Sequence, residues 1–318
     1  MKLIIQIPCL NEEESLPVAL AALPREVEGF DRVEWLVIDD GSTDKTVEVA
    51  KAHGADHVLI LPYNQGLAKA FTAGVLESAR LGADVVVNTD ADNQYDASYI
   101  PALTAPILAN ETELVIGARP INSLDHFSPL KKLLQNLGSA VVRWASSTKV
   151  KDAPSGFRAM KLPEALQLNV YNGYTYTIET IIQAGHHGMR ITNVDVEVND
   201  DLRDSRLVRS IPSYVMRNML TILRYFVIYK PVRFFFFIAV FPLFAAITLF
   251  GRFLLFYLLG DGGGKIQSLI VASAMLGFGA LLLALGVIGD ILSVNRRLLE
   301  KIQYNMIRNQ LSEKGDQR

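Results

Sequence analysis

The sequence predicts an α/β fold, a mostly parallel sheet with helices on both faces, followed by a helical hairpin that spans a membrane. Over residues 1–118, short apolar runs alternate with longer amphipathic stretches, which is typical of strand–helix–strand units. Beyond residue 233, two largely uncharged runs each provide the ~20 residues needed to cross a bilayer. The formal net charge of the 318 residues is only −2, so the composition does not indicate a nucleic-acid partner.

The first 118 residues contain five predicted strands and four predicted helices. The strands are Leu3–Ile7, Trp35–Ile38, Val58–Leu61, Val85–Asn88 and Leu114–Ile116, and the helices are Glu13–Leu23, Thr43–His53, Leu67–Leu81 and Ser98–Leu108. A helix is also predicted from Ser128 to about Ser146, and a strand at Met189–Val198. Ligands of parallel sheets bind at the carboxyl ends of the strands, so the segments that follow the strands are where a site is expected.

The C-terminal part of the sequence predicts a membrane hairpin. One apolar run begins at Phe234 and continues past Arg252 to Leu259, and a second extends from Ile266 to Gly289. Basic residues flank the hairpin while its turn carries one lysine, so the positive-inside rule places both termini in the cytoplasm. The single cysteine allows no intrachain disulfide, which suits a reducing compartment. We therefore expect a multi-pass protein of the cytoplasmic membrane.

The predicted domains are a cytoplasmic domain at 1–207, a juxtamembrane amphipathic helix at 208–231, a hairpin at 232–295 and a basic cytoplasmic tail at 296–318. The hairpin spans are expected at about 234–259 and 266–291. In the juxtamembrane segment, apolar residues recur at helical spacing, which predicts a helix on the membrane surface; an ordinary packed helix is the alternative. Small residues at Ser273 and Gly277, and at Ala280 and Ala284, predict contacts between helices or between copies of a homo-oligomer.

Two aspartates follow the predicted strand Val85–Asn88. Asp90 and Asp92 are separated by Ala91, and this spacing places hard oxygen ligands around one point. Such a pair suits Mg²⁺ or Mn²⁺ shared with a diphosphate. The alternative is a solvated acidic turn, and the pair alone does not decide between them.

Three further motifs fall at predicted strand ends: residues 7–13 (IPCLNEE), 37–44 (VIDDGSTD) and 64–70 (NQGLAKA). With Asp90–Gln94 (DADNQ), they resemble in order the motifs of family 2 glycosyltransferases, which have the Rossmann-like GT-A fold. Within that family the sequence is similar to the polyprenyl-phosphate branch, which includes the dolichyl-phosphate mannose synthases. The resemblance covers about residues 3–230, and a C-terminal membrane hairpin occurs in a subset of that branch.

The resemblance implies a nucleotide site and a metal site. Nucleotide-binding positions would be Pro8, Leu10, Glu12, Asp39, Asp40, Lys69, Asp90 and Ala91. Asp40, rather than Asp39, would hydrogen-bond the base. Asp90, Asp92 and Gln94 would hold Mg²⁺ or Mn²⁺, although Asn93 stands where the family commonly has leucine. Turn support for Asp39 and a solvated helix face for Lys69 remain alternatives.

The resemblance also implies catalytic and acceptor-binding residues. Arg119 follows the fifth predicted strand, and a bidentate guanidinium suits a phosphate group. Asp152 precedes Ser155–Arg158, which resembles the family's Ser-Gly-Phe-Arg segment, and is the candidate base or acceptor-positioning carboxylate; a structural turn role remains open. The acceptor phosphate would meet Arg119, Lys132, Arg203 and Arg206. For Arg119 the alternative is a surface ion pair, and for the other three a solvated or merely membrane-attracting role.

We expect from the resemblance an enzyme that moves a sugar, with inversion, from a nucleotide-diphosphate sugar to a polyprenyl phosphate, with a UDP-sugar favoured as donor. A phosphate monoester has a second pKa of about 6, so this acceptor is largely ionised at pH 7 and needs little activation. The alternatives are a processive membrane polysaccharide synthase and a catalytically idle nucleotide-binding scaffold. Synthases of the first kind carry Gln-x-x-Arg-Trp, whereas here Ala140 stands three residues before Arg143-Trp144.

Overall fold

A computed structural model describes residues 1–120, 138–144, 146–170, 176–199, 220, 223–224, 226–260 and 266–315. Its core is a seven-stranded sheet in the order β3-β2-β1-β4-β6-β5-β7. The strands are β1 (Lys2–Cys9), β2 (Arg32–Asp39), β3 (His57–Ile60), β4 (Val85–Asn88), β5 (Leu114–Ala118), β6 (Arg158–Lys161) and β7 (Ile191–Asp195). The predicted fold class is confirmed: every described strand pairing is parallel except the two made by β6, which is antiparallel to β4 and β5.

Eight helices are labelled in the described part of the chain. They are α1 (Leu16–Ala22), α2 (Thr46–Ala52), α3 (Leu67–Arg80), α4 (Ile100–Leu108), α5 (Leu162–Ala165), α6 (Thr177–His186), α7 (Pro231–Leu258) and α8 (Ile266–Gly315). A 3₁₀ turn at Ala97–Tyr99 precedes α4. Residues 138–144 are also helical, whereas the predicted start of that helix at Ser128 lies outside the described residues.

The central strands are apolar because both faces of the sheet are covered. Seven of the eight residues of β1 are buried, as are all four of β4. Side chains along β1 point alternately to the two faces of the sheet. On one face, Leu3, Ile5 and Ile7 pack with Leu16 and Leu20 of α1 in one apolar cluster. This packing fixes the height of each strand, and therefore where the next loop begins.

Helices α1 and α2 begin three residues later than the sequence predicted, at Leu16 and Thr46. Before α1, residues 13–15 form a turn, and the backbone nitrogen of Leu16 donates to the Glu12 carbonyl at 2.9 Å. Before α2, the backbone nitrogen of Thr43 donates to the Asn11 side-chain oxygen at 2.8 Å instead of entering a helix. Both helices thus start after an extended loop at the carboxyl edge of the sheet.

Contacts divide the chain into two compact units, Met1–Ile222 with Ile302–Arg318, and Leu223–Lys301. The second unit contains α7 and most of α8, both long and apolar enough to cross a membrane, and only 11% and 22% of their most apolar windows are buried. Phe237, Phe241 and Phe244 on α7 are each about 70% exposed. The apolar span predicted at about 234–259 lies in α7 except for its last residue, and the span at about 266–291 lies in α8, which continues through residues expected to form a tail.

Small residues of α8 make the contact with α7 within this second unit. A methyl group added to Gly279 would lie 2.6 Å from Leu243, and one added to Gly289 would lie 2.7 Å from Pro231. Ser273, Gly277, Ala280 and Ala284, predicted from the sequence as positions of contact between helices or between copies, are exposed on α8. The intramolecular helix pair therefore uses a neighbouring stripe of small residues.

Candidate active site

The predicted site residues of the first four strands lie at one edge of the sheet. Because β1, β2, β3 and β4 are parallel, the loops that follow them emerge on the same side. β6 runs in the opposite direction, so the segment that precedes β6, and not the one that follows it, lies at this edge of the sheet. This topology places residues 152–157 beside the loop that follows β4.

The loops after β1 and β2 are joined by hydrogen bonds. The backbone nitrogen of Asn11 donates to Ser42 Oγ at 2.9 Å, and that of Glu12 donates to Thr46 Oγ1 at 2.8 Å. The Glu12 carboxylate is buried and accepts from Ser15 Oγ at 2.5 Å. Pro8 is buried and Leu10 is half-buried at the same edge. The predicted nucleoside residues of these two loops therefore form one rigid group.

Asp44 adds a charged link between the same two loops. Its carboxylate accepts from the backbone nitrogens of Thr46 at 3.0 Å and Glu13 at 3.1 Å, and from Thr46 Oγ1 at 2.5 Å. Burial alone would raise the pKa of Asp44, but these hydrogen bonds outweigh it and hold the pKa below its usual value. The ionised carboxylate is thus favoured by the fold.

Asp39 and Asp40 are both buried, with 2% and 3% exposure. The two oxygens of Asp40 accept from the backbone nitrogens of Gln65 and Gly66, each at 2.8 Å. Asp39 accepts from the backbone nitrogen of Ser42 at 3.3 Å. Asp40 thus holds the loop that starts α3 and carries Lys69, which is exposed in the first turn.

The loop predicted to bind a metal ion, residues 90–95, follows β4 and is called the metal loop below. Asp92 accepts from the backbone nitrogen of Gln94 at 3.2 Å, which closes a tight turn around Asn93, whose φ is 56°. Asn and Asp tolerate this left-handed conformation better than leucine does, which accounts locally for Asn93. Ala91 is buried in the apolar core. Asp90 and Asp92 lie on either side of it in the same turn.

Arg119 and Asp152 form an ion pair beside the metal loop. Arg119 Nε donates to Asp152 Oδ2 at 2.7 Å and Nη2 donates to Oδ1 at 3.1 Å, which is a bidentate arrangement. The side chains are 9% and 1% exposed. Arg119 Nη1 also donates to Gln94 Oε1 at 3.4 Å. The structure therefore joins three predicted site residues, Gln94, Arg119 and Asp152, in one hydrogen-bonded line.

A buried polar layer lies beneath Asp90. A methyl group added to Gly156 would lie 2.9 Å from both carboxylate oxygens of Asp90 and 3.1 Å from the Tyr176 hydroxyl. Asn88 Nδ2 donates to the Gly156 carbonyl at 3.0 Å and to the Tyr176 hydroxyl at 2.7 Å. Tyr176 in turn stacks on Phe71 at 3.9 Å between ring centres. Any residue larger than glycine at position 156 would therefore displace the Asp90 carboxylate.

Tyr95 ends the metal loop and connects it to the same layer. Its oxygen accepts from the backbone nitrogen of Gly156 at 3.1 Å, and its ring centre lies 5.8 Å from the Arg119 guanidinium carbon. Burial raises the pKa of Tyr95 to about 12, so the phenol stays neutral at pH 7. Tyr95 thus supports Gly156 and Arg119 without adding charge.

Asn199 stabilises the metal loop by donating three hydrogen bonds to its backbone carbonyls. Its side-chain nitrogen donates to the carbonyls of Asn93 at 2.9 Å and Tyr95 at 3.4 Å, and its backbone nitrogen donates to the Gln94 carbonyl at 2.9 Å. Sequence reasoning missed Asn199, Tyr95, Asn88 and Tyr176, because none belongs to a recognisable motif. Lys132, Arg203 and Arg206, the other predicted acceptor-phosphate residues, lie outside the described residues.

The donor set of this loop fits a hard divalent cation. Carboxylates and an amide oxygen are the ligands that Mg²⁺ and Mn²⁺ prefer. No group of three His, Cys, Asp or Glu side chains is placed to hold a metal ion in the described part of the chain. The two aspartates would therefore supply part of a coordination shell, and the remaining oxygens would come from a diphosphate.

Comparison with known proteins identifies the family of the chain. The family described as glycosyl transferase family 2 matches residues 4–159. An uncharacterised glycosyltransferase of Mycobacterium tuberculosis is 36% identical over 60% of this chain and 83% of its own length. The undecaprenyl-phosphate mannosyltransferase of Micrococcus luteus is 29% identical over 65% of this chain and 88% of its own. The chain belongs to glycosyltransferase family 2.

Solved structures agree on the fold. Glucosyl-3-phosphoglycerate synthase from M. tuberculosis superimposes with a TM-score of 0.58 over 70% of this chain and 79% of its own, at 23% identity. The same synthase has been crystallised with Mn²⁺, UDP-glucose and phosphoglyceric acid, and this form gives a TM-score of 0.55. At this identity the match shows the GT-A fold alone.

Proposed function

We propose that the protein transfers a sugar from a nucleotide-diphosphate sugar to the phosphate of a polyprenyl phosphate. The observation that carries the proposal is the joining of Arg119 and Asp152 to the metal loop in a chain that also has two exposed apolar helices. The named relatives add support, since one is an undecaprenyl-phosphate mannosyltransferase and another a polyprenol monophosphomannose synthase.

The chain's own residues would divide the work between donor and acceptor. Asp90, Asp92 and Gln94 would hold Mg²⁺ or Mn²⁺, which neutralises charge on the departing nucleoside diphosphate. Arg119 would donate hydrogen bonds to a phosphate group, at a position that Asp152 and Gln94 fix. The loops after β1 and β2 would hold the nucleoside through Pro8, Leu10, Glu12 and Asp39 or Asp40. Arg119, Lys132, Arg203 and Arg206 would bind the acceptor phosphate.

The acceptor oxygen would attack the anomeric carbon directly, and this displacement inverts the anomeric centre. A phosphate monoester is largely ionised at pH 7, so no side chain has to remove a proton. In the structure both Asp152 oxygens contact Arg119, which suits a positioning role better than that of a base. UDP is the nucleotide we favour for the donor.

The two apolar helices would anchor the protein in the membrane that contains its lipid substrate. With basic residues at both ends of the pair, we propose that both termini face the cytoplasm of the cell. The exposed small residues Ser273, Gly277, Ala280 and Ala284 on α8 would suit contact with a second copy of the chain in the bilayer.

Membranes that contain the protein, incubated with a panel of labelled nucleotide sugars, test the proposal. We expect label in the organic-solvent extract with one donor, dependent on Mg²⁺ or Mn²⁺ and absent with vector-only membranes. Label found only in a water-soluble polymer would indicate a polysaccharide synthase, and no transfer with any donor would refute an active enzyme.

A further inference from the structure

Arg158 is a buried cation behind Asp90 and Asp92, which are called the acid pair below. It begins β6 and its exposed fraction is 0%. Its guanidinium donates to Thr180 Oγ1 at 2.7 Å, to the Thr177 carbonyl at 3.4 Å and to the Ser155 carbonyl. All three acceptors are neutral, and Arg158 Nε has no hydrogen-bond partner in the described part of the chain. A buried charge of this kind is costly unless another charge compensates for it.

The compensating charges belong to the site. Burial lowers the pKa of Arg158 below its usual value, and Tyr176, Tyr95, Asp90 and Asp152 all act in the opposite direction. Two of these four groups, Asp90 and Asp152, are carboxyl groups of the candidate site. The charge of Arg158 is therefore balanced at longer range by Asp90, a predicted metal ligand, and by Asp152, the partner of Arg119.

A short path of contacts connects Arg158 to Asp90. The guanidinium carbon lies 5.2 Å from the centre of the Tyr176 ring. The Tyr176 hydroxyl and both Asp90 oxygens lie within about 3 Å of the same point above Gly156. Arg158 is thus behind the layer on which Asp90 rests, where it can act on the acid pair through its charge without binding a ligand itself.

We propose that Arg158 is the internal counter-charge of the acid pair, and that it makes the divalent cation bind together with the nucleotide diphosphate rather than alone. The inference rests on the metal site of the proposed function. Before nucleotide binds, Arg158 and Arg119 offset the attraction of the carboxylates for a dication. The diphosphate then supplies both the missing oxygen ligands and further negative charge.

Mn²⁺ binding to the full-length protein in detergent, followed by electron paramagnetic resonance, tests this without requiring turnover. We compare wild type, Arg158→Met, Arg158→Gln and Arg158→Lys, each alone and with UDP or GDP. Arg190→Met is the matched control, because Arg190 pairs with Glu113 on the surface. Melting temperatures identify the variants that fold.

We expect wild type to bind Mn²⁺ at least ten-fold more tightly with nucleotide than without it. Arg158→Met and Arg158→Gln should bind Mn²⁺ alone about ten-fold more tightly than wild type, because a unit positive charge has been removed from the neighbourhood of a dication. Arg158→Lys keeps the charge and Arg190→Met is remote, so both should match wild type.

Weaker or unchanged binding of Mn²⁺ alone by a folded neutral variant would show that Arg158 is only a structural support, and would overturn the proposal. Equal affinity of wild type with and without nucleotide would overturn it whether or not the variants fold. Failure of the metal assignment on which the inference rests gives a different result, since wild type would then bind no Mn²⁺ even with nucleotide. Failure of the proposed acceptor is seen separately, as label that never enters the organic-solvent extract.

Discussion

Arg119 and Asp152 form a bidentate ion pair whose side chains are 9% and 1% exposed, with Arg119 Nε 2.7 Å from Asp152 Oδ2. The pair brings together two segments that are 33 residues apart, at the edge of the sheet where the metal loop lies. Arg119 also donates to Gln94 of the metal loop. The ion pair with Asp152 therefore sets the position of Arg119 beside that loop.

Asp152→Asn should therefore reduce activity by misplacing Arg119. Removing one partner of a buried pair costs about 3–5 kcal/mol of stability, and we expect a loss at the lower end. We expect kcat/KM to fall about 100-fold, while the shape of its pH profile stays that of wild type. The measurement is the pH dependence of kcat/KM for sugar transfer.

Two further results bear on Asp152. Combined with Arg119→Lys, the Asp152→Asn variant should lose less activity than the two single effects added together, because both changes break one contact. A variant that loses the acidic limb of the pH profile would instead identify Asp152 as a general base, against the positioning role.

Gly156→Ala should disable the metal loop. The added methyl group would lie 2.9 Å from both Asp90 oxygens, closer than side chains approach in folded proteins, so the carboxylate must move. A shift of about 1 Å in a reacting group costs about 100-fold in rate, and we expect a fall of that order in kcat/KM. Gly138→Ala is the control, because its methyl group would meet no atom within 4 Å. Equal activity of the two variants would contradict the position assigned to Asp90.

Asp92→Asn should weaken metal-dependent turnover. The substitution removes one of two negative charges from the proposed cation site and keeps the shape of the side chain. We expect the concentration of Mn²⁺ that gives half-maximal activity to rise about ten-fold or more. Asp84→Asn is the control, since Asp84 precedes the same strand at the opposite edge of the sheet and accepts from the backbone of Lys2. Undiminished transfer with an unchanged metal requirement in Asp92→Asn would rule out the metal assignment.

Asp44 should contribute stability that depends on pH. Its pKa is lower in the folded chain than the usual 3.8, so its contribution is fully present above that value and is lost as the pH falls through the folded-state pKa. Asp44→Asn should therefore melt about 2 °C below wild type at pH 7, and the difference should shrink in acid below pH 3.8. Thermal melts from pH 3 to pH 7 measure this, with Asp195→Asn as an exposed control. A difference that grows as the pH falls would contradict the prediction.

The fold was predictable from sequence because strands that are buried on both faces, such as Val85–Asn88, consist mainly of apolar residues. β6 was not predicted, since Arg158 is its first residue and a charged residue does not indicate a buried strand. Helix starts were misplaced for a local reason, because turns and bends at residues 13–15 and 43–45 precede α1 and α2.

The strand-end residues of the site were also within reach of sequence analysis, since topology brings such segments to one edge. The residues that support these strand-end residues could not be predicted from the sequence. Asn199 is more than 100 residues from the loop it fastens, and Asn88 and Tyr176 are 88 residues apart, so only the three-dimensional packing connects them. The pairing of Arg119 with Asp152 likewise has no signature in sequence, although both residues were selected from it.

Transfer of a single sugar to a polyprenyl phosphate is the activity that we propose for this protein. The most direct measurement uses the purified full-length protein with a defined polyprenyl phosphate, Mn²⁺ and each nucleotide sugar in turn, and identifies the organic-soluble product by mass spectrometry and nuclear magnetic resonance. We predict one product that carries one sugar on the lipid phosphate, with the anomeric configuration opposite to that of the donor. A product with several sugars, retention of configuration, or transfer that proceeds equally well without the lipid phosphate would contradict the account.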